Sequence, residues 1–222
     1  MMRALFFAAL VAALAGALAG CGHKPPAVDL SCQWPEMAED YDKVTERWTR
    51  TGQTRDQYQE ILEVSATFKS AEWRAAHASR DAYFRGLQGA ARDARMAQAQ
   101  AEMAGPYEVE LMVTTWDRRE NDLDRGAKSI WRVALLDEQG NEIPSLEIRK
   151  DKRPAFTIRT DFPAFGDFAT AYIVKFPRDA NTQLCGPGVQ RLRLRMSSVR
   201  GFVTLEWAAN PEATSVRKPL VE

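Results

Sequence analysis

The feature that most restricts what this chain can fold into is the alternation that begins after Gly105-Pro106. Tyr107, Val109, Leu111 and Val113 are interleaved with Glu108, Glu110, Met112 and Thr114. A period of two places one set on a buried sheet face and the other set opposite. Short runs of the same kind recur at Ile130 to Asp137, Glu142 to Arg149, Ala155 to Thr160, Ala171 to Phe176, Leu192 to Met196 and Phe202 to Trp207. Glu138-Gln139-Gly140-Asn141 separates two of them as a hairpin-type turn. Upstream, Leu62, Val64, Ala66 and Phe68 alternate with Glu63, Ser65, Thr67 and Lys69, and Val44 to Arg50 reads as a further strand closed by a turn at Thr51-Gly52-Gln53. About eight or nine short strands predict a mainly β fold, an antiparallel β-sandwich of Ig-like or C2-like type, rather than a parallel sheet.

Residues 70–104 break the β pattern. They are rich in Ala, Arg, Gln and Met and read as one long helix or a helical hairpin, with Gly86 or Gly89 as the break. Trp73, Ala76, Tyr83, Phe84 and Leu87 form the expected buried face, whereas residues 90–104 offer only Met96 and Met103 as larger apolar groups. Because the early strands need partners, the helical segment 70–104 is placed as an insertion in one sandwich domain spanning 36–210, followed by a C-terminal tail at 211–222. A separate helical N-terminal domain is the alternative. With 45% hydrophobic residues the chain can build a core, and 30 Lys and Arg against 30 Asp and Glu exclude a strongly basic nucleic-acid binder.

The first twenty-one residues carry a different kind of information. Arg3 is followed by an apolar run rich in alanine and leucine, which ends in Leu18-Ala19-Gly20-Cys21. The basic-then-apolar order is that of a secretory signal, and the run is too short for a comfortable membrane span. The four closing residues resemble the lipobox of bacterial lipoproteins. That resemblance covers only this segment, and no family is assigned to the rest. It implies a signal peptide at 1–20 and lipidation of Cys21 by a diacylglyceryl group followed by acylation with a palmitate-like chain. Each buried methylene contributes roughly 0.8 kcal/mol, so two or more chains anchor stably. It further implies a cell outer-membrane location, periplasmic or surface-facing, because Gly22 rather than an aspartate follows the cysteine. Residues 21–35, with Pro25-Pro26, then read as the lipidated cysteine and a flexible tether. The mature chain would lose Arg3 and no acid, giving 29 basic against 30 acidic residues.

With Cys21 consumed, Cys32 and Cys185 remain as an even pair in an oxidising compartment. A disulfide between them would contribute on the order of 4–5 kcal/mol by loop entropy. Two free thiols are the alternative.

Catalytic signatures are sparse. There are two histidines, His23 and His77, and no nucleophile elbow, His-Glu-x-x-His, phosphate loop or Cys-x-x-Cys. No catalytic set and no cofactor are therefore assigned, and His77 is read as a packed or surface residue. Asp117, Glu120, Asp122 and Asp124 lie in the densest polar cluster, a weak candidate for Ca²⁺, but Arg118, Arg119, Arg125 and Lys128 lie among them. Arg191, Arg193 and Arg195 make a basic stripe on one side of a strand, a candidate surface for an anion or a partner. Trp48, Trp73, Trp116, Trp131 and Trp207 could line a groove but suit a core better. The reading is of a lipid-anchored, non-catalytic structural or interaction module with a protein partner in the cell envelope and no nucleic acid. An anchored binder of a small ligand, glycan or Ca²⁺ is the alternative, and a carboxylate-based enzyme stands behind both.

Overall fold

The computed structural model describes residues 25–56, 59–178 and 184–209. The segment read as a signal peptide, Cys21 and the tail read at 211–222 lie outside them.

Two antiparallel sheets face each other. The first contains β1 (Thr49–Asp56), β2 (Gln59–Phe68), β3 (Tyr107–Thr115), β7 (Thr170–Phe176) and β6 (Glu147–Lys150), in the order β1-β2-β3-β7-β6. The second contains β4 (Arg132–Leu136), β5 (Glu142–Pro144), β8 (Arg191–Ser198) and β9 (Gly201–Ala208), in the order β5-β4-β8-β9. Leu62, Val64, Ala66 and Phe68 lie in register with Thr115, Val113, Leu111 and Val109, and Leu192, Leu194 and Met196 with Trp207, Leu205 and Val203. The apolar members of these pairs, together with Trp48, Tyr172, Val174 and Phe176, are buried in one continuous core. The indole Nε1 of Trp207 donates to the Trp48 carbonyl at 2.8 Å, which satisfies the one polar atom of a fully buried ring.

Helices cover part of the outer side of the first sheet. The chain between β2 and β3 forms a helical hairpin, α2 (Ala71–Phe84) and α3 (Ala90–Ala101), and Gly86 and Gly89 both take positive φ in the bend. Such φ values cost little only for glycine. Ser70 caps α2 by accepting the Trp73 amide at 3.1 Å. Trp73 and Ala76 are buried as expected, but Tyr83 and Phe84 stand exposed at the hairpin tip. In α3 only Ala99 is buried, and the ion pairs of Asp81 with Arg95 and of Arg74 with Glu102 bind the second arm to the first.

Several expectations are corrected. Val44 to Arg50 is not a strand: α1 (Tyr41–Trp48) occupies most of it, because Asp40 caps the helix and Tyr41, Val44, Thr45 and Trp48 bury one helical stripe. Thr51-Gly52-Gln53 is not a turn but the middle of β1. A Cβ at Gly52 would lie 2.5 Å from Cγ2 of Val203, so glycine is what lets β1 cross so close to β9. Ala155 to Thr160 is the helix α4 (Ala155–Asp161), started by Pro154, and it buries Ile158 with Phe162 just beyond. Glu142 to Arg149 is divided at Pro144-Ser145, so that β5 joins one sheet and β6 the other. Part of the stretch read as a tether through Pro35 docks on the domain at individual residues, while Pro26, Ala27, Asp29 and Gln33 remain exposed. Val28 and Leu30 are buried, the Val28 amide donates to the Ala208 carbonyl at 3.1 Å, and Arg50 donates to the Pro26 carbonyl at 2.8 Å. Cys32 and Cys185 are joined by a disulfide with Cα atoms 5.6 Å apart.

Candidate functional site

A chain of charged residues centred on the buried Glu110 runs along the outer side of the first sheet. Glu110 projects from the middle of β3 and is fully buried, with Lys69 Nζ 2.9 Å from its carboxyl. Lys69 also approaches Glu108, which pairs with Arg74 at 3.0 Å. On the other side Arg153 pairs with Asp151 at 2.6 Å and Asp161 at 2.6 Å, and Asp161 also accepts from Arg80. Burial pushes the Glu110 carboxyl up to about 7, against the pull of Lys69 and with the neighbouring Asp151 charge adding to the rise. Asp161 is held below the usual carboxylate range: burial opposes this, but His77, Arg153 and Arg80 outweigh it. Trp73 and Phe162 stack at 5.6 Å, with Lys69 near both rings. His77 stacks on Trp73 at 4.9 Å and lies 3.8 Å from Asp161, a packed position like that expected for it. A carboxyl near neutral pH is the signature of an acid-base catalyst, yet this one has no surface through which to meet a substrate.

The acid-rich loop disperses its carboxylates. Asp117 chelates its own turn through Arg119 at 2.7 Å, Glu120 pairs with Arg200 at 2.9 Å, and Asp124 pairs with Lys150 at 3.4 Å. Asp122 is buried and accepts from Ser129 Oγ at 2.8 Å. Among the described residues no three His, Cys, Asp or Glu side chains assemble into a metal-binding group. The arginine stripe alternates with buried Leu192, Leu194 and Met196 as read from the sequence, but its members lie half-buried and engaged. Arg191 approaches Glu206 at 3.6 Å, Arg193 donates to the Asp137 carbonyl at 3.0 Å, and Arg195 lies 4.7 Å from the centre of the Phe202 ring.

An open cleft of about 580 Å³ lies at the end of the first sheet, where β2 begins, β3 ends and β7 begins. Its volume falls in the range of small-molecule sites. Trp116 and Phe168 line it and are 73% and 71% exposed, unlike Trp48, Trp73, Trp131 and Trp207, which are buried. The wall between them is held rigidly. Asn121 donates to the Val113 carbonyl at 2.7 Å and accepts from the Tyr172 hydroxyl at 2.8 Å, while the Thr115 hydroxyl donates to the Asp117 carbonyl at 2.9 Å. Three charged residues of the lining are already paired: Glu60 with Arg55, Lys150 with Asp124, and Asp167 with Arg159. Arg118 is different. Its guanidinium lies 5.7 Å from the centre of the Phe168 ring and, among the described residues, faces no carboxylate. The site thus combines two exposed aromatic side chains, hydrogen-bonding groups held in place and one cation that pairs with no carboxylate among the described residues.

Sequence reasoning singled out Trp116 and Arg118 for separate reasons, and Phe168 not at all. Pairing of β3 with β7 brings the three to one opening. Compared with family models, curated proteins and solved structures, the chain matches none.

Proposed function

We propose that this chain is a lipid-anchored outer-membrane lipoprotein whose sandwich, Ig-like or C2-like in type, is a non-catalytic module that engages a protein partner or another component of the cell envelope. The anchor rests on Leu18-Ala19-Gly20-Cys21. Among the described residues no helix is long and apolar enough to cross a membrane. The observation that carries the non-catalytic reading is the contrast between the two polar sites: the carboxyl with perturbed chemistry, Glu110, is sealed, and the accessible cleft holds groups that suit holding rather than transforming a ligand. The test of the anchor is Cys21→Ser. We expect the variant to lose both palmitate labelling and sedimentation with membranes, and retention of both by the variant would overturn the reading.

A second reading, an anchored binder of a small ligand or glycan, is favoured by one specific observation, the pair of exposed rings at Trp116 and Phe168 around the cleft. It is compatible with the first, since an anchored module needs a surface on which its partner lands.

A further inference from the structure

We infer that the cleft between Trp116 and Phe168 is a binding site for a saccharide bearing a carboxylate. The inference rests on the second reading above and specifies its ligand. Four features of the site lead to it.

Large aromatic rings left bare around a concave opening are costly in water unless something flat and partly apolar covers them. The C–H faces of a pyranose ring meet that need, and the rest of the lining is supplied by hydroxyl, carboxamide and charged groups that bond to sugar hydroxyls. Thr114, Thr170 and Asn121 are such groups, and Lys150 and Asp167 stand at the rim.

The cleft does not offer what a peptide strand would use. It sits at the ends of strands: β2, β3 and β7, which frame it, are interior strands with neighbours on both sides, and the edge strand β6 reaches the lining only through its last residue, Lys150, so no run of ladder edge lies along the opening. Recognition by strand addition needs such an edge.

The site is preorganised. Asn121 is clamped from both ends by Val113 and Tyr172, and the Trp116 amide donates to the Ile61 carbonyl at 3.2 Å, which ties the backbone that carries the ring. Little order has to be created on binding.

The charge is directional. With Glu60, Lys150 and Asp167 each paired, Arg118 is the lining cation that has no carboxylate partner among the described residues, and its planar fork suits a carboxylate in bidentate fashion. Its position 5.7 Å from the centre of the Phe168 ring places the guanidinium within the cleft mouth, near where a sugar ring covering the aromatic residues would lie.

The experiment is calorimetric titration of the mature protein with tetragalacturonate, with the same oligosaccharide fully methyl-esterified, and with a tetraglutamate peptide. Binding of tetragalacturonate at micromolar to low millimolar strength is expected, with the ester at least about tenfold weaker, since a charge-assisted pair is worth about that factor. Arg118→Gln should remove the preference for acid over ester, and Trp116→Ala should weaken both sugars by about tenfold or more, by analogy with the loss of an aromatic platform under a stacked nucleobase. Unchanged thermal melting of the two variants, whose side chains are exposed, will show that they fold. No binding of tetragalacturonate to the wild-type protein overturns the inference, as does binding that is indifferent to both substitutions. Equal or tighter binding of tetraglutamate would assign the cleft to an acidic peptide instead. None of these results touches the anchor, which Cys21→Ser tests by fractionation, so failure of the ligand and failure of the anchor are separable.

Discussion

Single atoms decide two properties of this molecule. Glu110 ordinarily titrates at 4.5 and here at about 7. The folded chain therefore holds a proton that the unfolded chain releases across that window, and the group's contribution to stability is full below pH 4.5 and lost as pH rises through 7. A shift of that size corresponds to about 3 kcal/mol. Glu110→Gln keeps a neutral side chain at every pH. We expect the variant to gain on the wild type by roughly 2–3 kcal/mol as pH is raised from 5 to 8, measured by urea midpoints. A difference that stays flat with pH would contradict the buried position of Glu110. Asp151, Asp161 and Glu108 are displaced downward, so their stabilisation is present at neutral pH and is lost only as the solution becomes acidic, in a separate window. The second decisive atom is the one missing at Gly52. Gly52→Val would drive a branched side chain into Val203 and Leu205, and a loss of about 1–3 kcal/mol or more in unfolding free energy is expected. Gly52→Ala should fall between the two. If chemical denaturation finds the valine variant as stable as wild type, β1 does not cross β9 as described.

At the scale of the element, the two arms of the helical hairpin should differ in dynamics. α2 buries Trp73, Arg74 and several alanines, whereas α3 buries only Ala99, so the amides of α3 should exchange with solvent well before those of α2 in hydrogen-exchange mass spectrometry. Equal protection of the arms would mean that something covers α3. The same contrast explains what the sequence could reveal. The inner faces of β2, β3 and β8 were legible because a period of two is a local property, and the break at Gly86 and Gly89 was legible because glycine marks it. The burial of Ser65, Thr67 and Glu110 on the opposite face was not, since it comes from elements distant in sequence that cover a polar surface. Val44 and Trp48 are four residues apart, a spacing shared by a strand face and a helical turn; the charged Glu46 between them and Tyr41 upstream fit only the helix, but a run that begins at Val44 leaves Tyr41 out. Tyr83 and Phe84 stand exposed at the end of α2 although Ala82 beside them is buried, a difference that no periodicity encodes.

At the scale of the whole molecule, the candidate cleft is a product of topology. Alternation assigned Trp116 to a core with the other tryptophans, and only the ends of three strands meeting at one rim leave it bare. The disulfide is equally global, since Cys32 and Cys185 are 153 residues apart. Its loop-entropy contribution is about 5 kcal/mol. Cys32→Ser with Cys185→Ser should lower stability in that direction by several kcal/mol, and thiol titration of the denatured, unreduced mature chain should find neither cysteine free. Recovery of two free thiols would remove the bridge from the account. The bridge also acts on force. A pull on the chain ahead of Pro25 meets first the contacts of Pro26 with Arg50 and of Val28 with Ala208, a short zipper that can open residue by residue. It then arrives at Cys32, where the load passes through a covalent bond to Cys185 and into the region before β8. A pull from the N-terminal side is therefore expected to reach the covalent bridge before it travels along the chain into the strands of either sheet.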